Sequence, residues 1–512
     1  MKKPKNFALF LVGFLSITHL FADTIPDGSV IYGTWTIANS PYVIMGEVEV
    51  PYDSTLIIEA GVTVKLKSST VDSAFYYNTL DVALLKVYGR VVAEGNETDS
   101  IIFERAGEGW WGSISFLGYT DCPNVLTFCQ VSRGRGIGTA PGGTGFTGGI
   151  AFNGANAIIE NSLFHHNPAG ISWGNSDIIL ENCIVRNNTY GISSGYSSSY
   201  INNNWVYDNQ DVGISTHSSN SVITNNIVEN SLTGIVCYES MDTISNNIIR
   251  NNLWGGINIS RNNSVVSNNI IYGSNSGIRC SGQPLLNNNT IINNNYFGIY
   301  CDSDADPVII NSIIYGNQYL ITPVNNDSIV FANCLVQVDS LPEGIINGGG
   351  NIFNQDPCFA SISNNEFSLS MNSPCIDAGI PFFVWENDTI LNLSSDDYYG
   401  NAPDMGAIES EFTDIENDNS VPKAIEISQN FPNPFRQSTR INISLLYNEQ
   451  AKISIYDLSG ILVNSYVING KGNYAISWNG NDFNGNYVKE GIYFYQLACK
   501  QGIITKSMIL IR

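Results

Sequence analysis

The sequence predicts an all-β protein, a long stack of short parallel strands followed by a small β-sandwich, and three observations carry the prediction. First, a Gly-Ile pair recurs at Gly149, Gly170, Gly191, Gly213, Gly234, Gly256, Gly277 and Gly298, at intervals of 21 or 22 residues. Second, an Asn two places before an apolar residue keeps step with it, at Asn161, Asn182, Asn203, Asn225, Asn246, Asn268, Asn289, Asn311 and Asn333. Third, the residues between these markers are poor in the Ala, Leu, Glu and Lys that build helices. They fall instead into short β-branched runs such as GIVCY, DTISN and NIIRN, each bounded by Asn, Ser or Gly.

Two markers sharing one period mean a repeat architecture. Three strand-length runs and three turns per repeat make one coil of a right-handed parallel β-helix, and such coils stack at about 4.8 Å, the spacing of paired strands. Equivalent residues then lie above one another. Ile171, Ile192, Ile214, Ile235, Ile257, Ile278 and Ile299 become an apolar column inside the tube. The Asn positions become a structural ladder, because an asparagine amide both donates and accepts and can pair with its neighbours or with turn backbone. The glycine before each Ile is read as admitting the tight turn into the strand. No coil buries its face alone, so the stack needs covering at its ends.

The flanks differ in character. Residues 1–22, with Lys2, Lys3 and Lys5 ahead of an apolar run and Ala22, read as a secretory signal peptide. Residues 23–140 read as an N-terminal cap and the first coils, 141–345 as the regular coils, and 346–412 as a closing module. An acidic, turn-rich linker (413–424) leads to 425–512, where AKISIYDLSG, YAISW and GIYFYQLA have the strand pattern of a small Ig-like β-sandwich. After the leader, no apolar run is long enough to span a bilayer.

From about Ile31 to Ile408 the chain resembles the right-handed parallel β-helix (pectate-lyase-like) family. The early rungs GVTVKL, GRVVAEG and GWWGSISF carry that likeness, with DPCFASISNNEFSLSMNSPCIDAG and DMGAIE at the close. Residues 425–512 resemble the C-terminal sorting domain of the type IX secretion system. The matching residues are Phe431, Pro432, Asn433, Pro434 and Phe435, the run Tyr456-Asp457-Leu458-Ser459-Gly460, then Gly491, Tyr493 and the end from Lys506 to Arg512. The second resemblance implies the type IX machinery as a partner. It also implies passage across the outer membrane of a Bacteroidota-like Gram-negative cell, then surface attachment or release.

Charge narrows the function. The formal net charge is −23, and no lysine occurs between Lys86 and Lys423. Nucleic acid is excluded as a partner, since the phosphate backbone demands Lys and Arg; solubility, cations and neutral sugars remain. Along the Gly-Ile strands side chains alternate in and out. The outward set includes His217, Tyr238, Asn258, Arg279 and Tyr300, the candidate binding residues for an extracellular polysaccharide or surface glycan.

Arg279, Tyr300 and Asp302 form the one constellation that suggests catalysis. The β-helix resemblance implies that a lyase would need a Lys or Arg base, usually with acidic calcium ligands, and a hydrolase needs paired carboxylates at a controlled separation. Asp302, Asp304 and Asp306 alternate in DSDADP and are calcium candidates, although the Gly and closing Glu of a calcium loop are missing. No other cofactor is expected. Export makes disulfides feasible, with Cys122–Cys129 and Cys358–Cys375 as the candidate bridges. The reading is a secreted or cell-surface adhesin or glycan-binding protein without catalysis. The alternatives are a carbohydrate-active enzyme, either polysaccharide lyase or glycoside hydrolase, and a structural surface-layer spacer.

Overall fold

The computed structural model describes residues 23–70, 82–118, 122–136, 148–322 and 328–410, and 425–510 except 429, 431, 434, 446, 449, 458–460, 490 and 501. The expected signal peptide (1–22) and linker (413–424) lie outside the described residues, as do Phe431 and Pro434. The chain divides into two units at Thr413/Asp414.

The first unit is a right-handed parallel β-helix of three sheets with 12, 14 and 15 strands, called here sheets I, II and III. One coil runs through Ala169–Gly174 in sheet I, Ile178–Glu181 in sheet II and Ile184–Arg186 in sheet III before re-entering sheet I at Tyr190–Gly195. The Ile column is in register from coil to coil, from Ile171 opposite Ile192 to Ile278 opposite Ile299. All seven side chains are fully buried.

Corners of the regular coils use a residue with left-handed backbone, followed in most coils by a buried polar one and in some by a buried Cys or Ala. Between sheets II and III the corner residues are Asn161, Asn182, Asn203, Asn225, Asn246, Asn268, Asn288, Asn311 and Asn333, with φ between 49 and 57°. Asparagine tolerates this conformation better than other non-glycine residues. From Asn161 to Asn268 these side chains are exposed, so they do not form the internal ladder expected of them.

The residue after each makes that ladder. Asn226 Oδ1 accepts both the Asn204 backbone N–H (2.9 Å) and the Asn204 amide (2.9 Å). Asn226 Nδ2 donates to Ile201 O (2.9 Å) and to Asn247 Oδ1 (3.0 Å). Asn247, Asn269 and Asn289 continue the column. Asn289 is therefore a ladder residue, and Asn288 takes its place at the corner, because the coil after Asn268 is shorter than its neighbours.

A second buried ladder, through Asn167, Asn188 and Asn209, lines the corner from sheet III to sheet I. It also accounts for the glycines. A Cβ on Gly191 would stand 2.3 Å from Gly213 O and 3.0 Å from Asn209 Nδ2. Glycine is required there by close approach of the next coil and its ladder amide, not by the turn.

One rung carries a charge instead of a hydroxyl. In the column of Ser199, Ser221 and Ser264 stands Asp242, fully buried. It accepts from Thr216 Oγ1 (2.5 Å) and from the Ser221 N–H (2.7 Å). Burial nonetheless pushes its pKa above the usual carboxylate value. A raised folded-state pKa means that Asp242 favours the fold while protonated. That contribution is lost as pH rises from the unfolded value through the folded one. Asp242→Ser restores the serine of the neighbouring coils and is expected to stabilise the tube at pH 8 by about 1 kcal/mol, with a smaller gain at pH 5. Urea midpoints at the two pH values test this; equal shifts at both would remove the carboxylate as the cause.

Ile345–Gly349 and Ile352–Phe353 are still the last strands of sheets II and III, and segments of residues 358–410 pack against the outside of the last coils. A hairpin of Phe359–Ser361 and Glu366–Leu369 brings Phe359, Phe367, Leu369, Cys375 and Met405 onto Tyr272, Ile292, Ile313 and Leu335 of sheet III. A second hairpin, Phe382–Trp385 with Asp388–Asn392, lays Phe383 and Leu391 on Ile310, Val330 and Ala332 of sheet II. Between the two, the corner amides hold the backbone of this segment. Asn311 Oδ1 accepts the Ile380 N–H (2.8 Å), and Asn311 Nδ2 donates to Ile380 O (2.9 Å). Asn288 and Asn333 donate to Asp404 O and Ala378 O (3.0 Å each).

The ten cysteines keep their thiols, so neither expected bridge is formed. Strand alternation turns Cys129 into the tube, while Cys122 sits at the surface. Cys375 is packed in the apolar cluster under the first hairpin, and the Cys358 thiol faces Asp356 O at 3.4 Å. Cys237, Cys280 and Cys301 stack inside, where burial holds Cys237, and the hydrogen bond with Cys301 together with burial holds Cys280, well above the ordinary thiol pKa and unreactive.

The second unit is a small antiparallel β-sandwich. Ile425–Ile427, Thr439–Leu445 and Gly472–Trp478 form one sheet; Leu462–Asn469, Gln450–Asp457, Gly491–Cys499 and Gly502–Leu510 form the other. Ile441, Ile453, Trp478, Tyr495 and Met508 are among the residues filling the space between them.

Candidate functional site

Sheet I presents the outward residues read from the sequence. The register sets His217 beside Tyr238 and Asn258 beside Arg279, with Tyr300 next in line. The His217 ring stacks on Tyr238 with centroids 5.2 Å apart and receives the edge of Tyr196 at 5.3 Å. Arg261 continues the row. Its guanidinium lies 5.8 Å from the Tyr238 ring centre and donates to Tyr238 Oη at 3.0 Å, with Glu239 at 3.6 Å. His217 Nδ1 is buried without a protein partner.

Tyr196 and Arg261 were not among the sequence candidates. Tyr196 stands at the left-handed corner after its sheet I strand and Arg261 near the end of Gly255–Asn262, where the register shifts, with φ of 51° and 55°; an earlier coil has Asn175 there. A tyrosine or arginine at a position suited to Asn or Gly is the signal that could have found them, since such strained positions concentrate at functional sites.

Arg279, Tyr300 and Asp302 do come together, but as a closed set. Arg279 Nη2 and Nε contact the two Asp302 oxygens at 2.8 and 3.2 Å, a two-pronged pair, and its guanidinium lies 5.0 Å from the Tyr300 ring centre. The Asp302 hydrogen bonds raise the Arg279 pKa further above its ordinary value, against some desolvation. An arginine held this way cannot act as a base.

The calcium trio is not assembled. Asp302 is engaged by Arg279, Asp306 accepts from Ser328, and Asp304 faces solvent. Among the described residues no three His, Cys, Asp or Glu side chains gather as a metal site.

In the second unit, Phe435 of the expected sorting motif is buried, 5.6 Å from the Trp478 ring, and bridges to Leu510 through backbone. Pro432 and Asn433 lie in an exposed turn whose Pro432 carbonyl accepts from Asn430 (3.1 Å) and Thr439 (2.8 Å). Gly491 opens a central strand, Tyr493 packs edge-on against Trp478 at 5.0 Å, and Lys506 pairs with Tyr495 in the sheet register.

Three family models match the chain: a right handed beta helix region over 213–367, the periplasmic copper-binding protein NosD over 134–264, and a secretion system C-terminal sorting domain over 429–511. No curated protein matches it. Among solved structures, dimeric latent PorU from Porphyromonas gingivalis is 26% identical over 18% of this chain, which spans 10% of that protein, with a TM-score of 0.16. Pectate lyase Pel9A is 14% identical, covering 70% of this chain and 88% of its own, with a TM-score of 0.39. A mutant of the periplasmic alginate epimerase AlgG is 14% identical, covering 61% and 76%, with a TM-score of 0.40.

The chain therefore carries a β-helix region and a C-terminal secretion sorting domain, as its sequence implied. The copper suggested by the NosD description finds no fitting donors among the described residues. The His165 and His166 Nδ1 atoms meet at 2.7 Å. Burial, with Arg186 and Arg133 nearby, pushes the His165 pKa down to about 4. No third donor joins them. No helix among the described residues is long and apolar enough to cross a membrane.

Proposed function

We propose that this secreted surface protein binds an extended glycan along the outer face of sheet I and performs no chemistry on it, having reached the surface through the type IX machinery. The observation that carries the reading is the row of Tyr196, His217, Tyr238 and Arg261 on successive coils. Coils stack at about 4.8 Å, so the row runs along the tube and, with the His217 and Tyr238 faces turned on each other, presents ring edges and polar groups to a linear chain. Tyr196, 45% exposed, offers apolar ring surface to a sugar, while the tyrosine, histidine and arginine edges supply hydrogen bonds. Arg279 and Asp302 satisfy each other, which supports binding over catalysis.

The test is a glycan array with the full-length protein, followed by analysis of the bound glycans for cleavage. Binding without cleavage is expected, and Tyr196→Ala with Tyr238→Ala should weaken it about tenfold, the loss of roughly 1.4 kcal/mol from two ring contacts. Binding that ignores both substitutions, or none at all, would overturn the proposal and leave the spacer reading. Cleavage products would move attention to Arg279, Tyr300 and Asp302 as an enzyme site.

A further inference from the structure

The corner between sheets II and III is half covered. At its C-terminal end, Asn288, Asn311 and Asn333 bind main-chain groups of residues 378–404, and apolar side chains of that segment fill both flanks. The same corner continues toward the N-terminus as Asn182, Asn203 and Asn225, with the same left-handed backbone, and nothing among the described residues covers it. Its flanks carry apolar side chains, although on sheet II Glu181 and Asn202, hydrogen-bonded at 2.8 Å, stand between them and the corner. Ile184 and Trp205 on sheet III, and Ile179, Tyr200 and Val222 on sheet II, are 36 to 43% exposed. So many large apolar side chains crowded into adjacent coils mark a contact surface, not chance exposure.

We propose that this open stretch, Asn182 to Asn225 with its two apolar flanks, is a docking site for an extended polypeptide segment of a partner protein that carries apolar side chains. The argument is continuity with the covered stretch. Asn311 takes both the N–H and the C=O of Ile380, the complementary pair that a side-chain amide offers to a peptide group. The open asparagines carry the same amide at the same corner, partly engaged along the column, where Asn203 donates to Asn182 and Asn225 to Asn202. A glycan is the poorer occupant, because Ile179, Ile184, Val222 and Trp205 dominate the exposed flank surface beside the single phenol of Tyr200, while the sheet I row carries more polar rings. This site stands on another face from that row and does not depend on it.

A fluorescein-labelled synthetic peptide of residues 376–384, the segment that docks on the covered stretch, serves as probe against the full-length protein in fluorescence anisotropy. Saturable binding is expected. The variant Asn182→Gly/Asn203→Gly/Asn225→Gly should weaken it at least tenfold with an unchanged Tm, because glycine accepts left-handed backbone while lacking the amide. Ile184→Glu with Tyr200→Glu should weaken it similarly, and Tyr238→Ala should leave it unchanged. No saturable binding, or binding that survives the triple glycine variant, would overturn the proposal. So would full-length protein that self-associates in sedimentation and turns monomeric in that variant, since the occupant would then be a second copy of this chain.

Discussion

Asn226→Ala is expected to destabilise the β-helix by about 3–5 kcal/mol, far more than Asn246→Ala one coil on. The Asn226 amide is buried and meets two groups of Asn204, the Ile201 and Thr224 carbonyls, and Asn247. Alanine leaves at least two of these without partners, and each buried unpaired polar group costs about 1–3 kcal/mol. Asn246 is exposed at φ 57°, so alanine there meets only the left-handed backbone penalty, about 1 kcal/mol. Hydrogen exchange suits a stack of nearest-neighbour units better than a single melting curve. Protection should fall at the coils spanning 201–250 in Asn226→Ala and stay near normal in Asn246→Ala. Equal losses in the two variants would refute the assignment of the ladder to the buried residue.

Removal of 425–512 is expected to abolish surface display altogether and to leave a folded β-helix in the periplasm. The first unit has its own core, running from Ile31 to Val336, and shares no core cluster with the second. Folding should therefore survive the cut while the sorting address is lost. Phe435→Asp should act in the same direction, because it places a charge against Trp478 in the closed core of the sandwich. Protease accessibility on intact cells, beside periplasmic extracts, reads both. Surface exposure of the truncated chain would show that the address lies elsewhere.

The tube was legible because its period is written twice. The Gly-Ile pair marks sheet I and an asparagine marks the corner between sheets II and III, and the structure keeps both in register. The ladder was misplaced by one residue because Asn203-Asn204, Asn225-Asn226 and Asn246-Asn247 are doublets. Composition cannot tell which member points inward; the left-handed backbone of the first decides it. The role of the Gly-Ile glycines was missed for a related reason. Their constraint comes from a carbonyl a whole coil away, which no local turn rule registers.

The outward residues of sheet I followed from simple alternation, yet Tyr196 escaped it because it sits at the corner after its strand, and Arg261 because its strand shifts register between Ile259 and Asn262. The aspartates of DSDADP alternate in sequence, but an arginine one coil back claims the first of them. Pairings across coils, not neighbours along the chain, settle such sites.

The amides of the Asn204–Asn289 ladder run one way. From Asn204 through Asn226, Asn247 and Asn269 each Nδ2 donates one hydrogen to the Oδ1 of the next coil and the other to a carbonyl of the coil before. The run ends at Asn289, whose Oδ1 accepts from Asn269 and whose Nδ2 donates to Val266 O and Asn287 O. Dipoles aligned head to tail reinforce one another in a dry interior. The column is thus an oriented filament with a partial negative pole toward the N-terminal coils and a partial positive pole toward the C-terminal ones. Its two ends differ electrically even though the coils between them are alike, so a transplanted coil would have to enter in one orientation only.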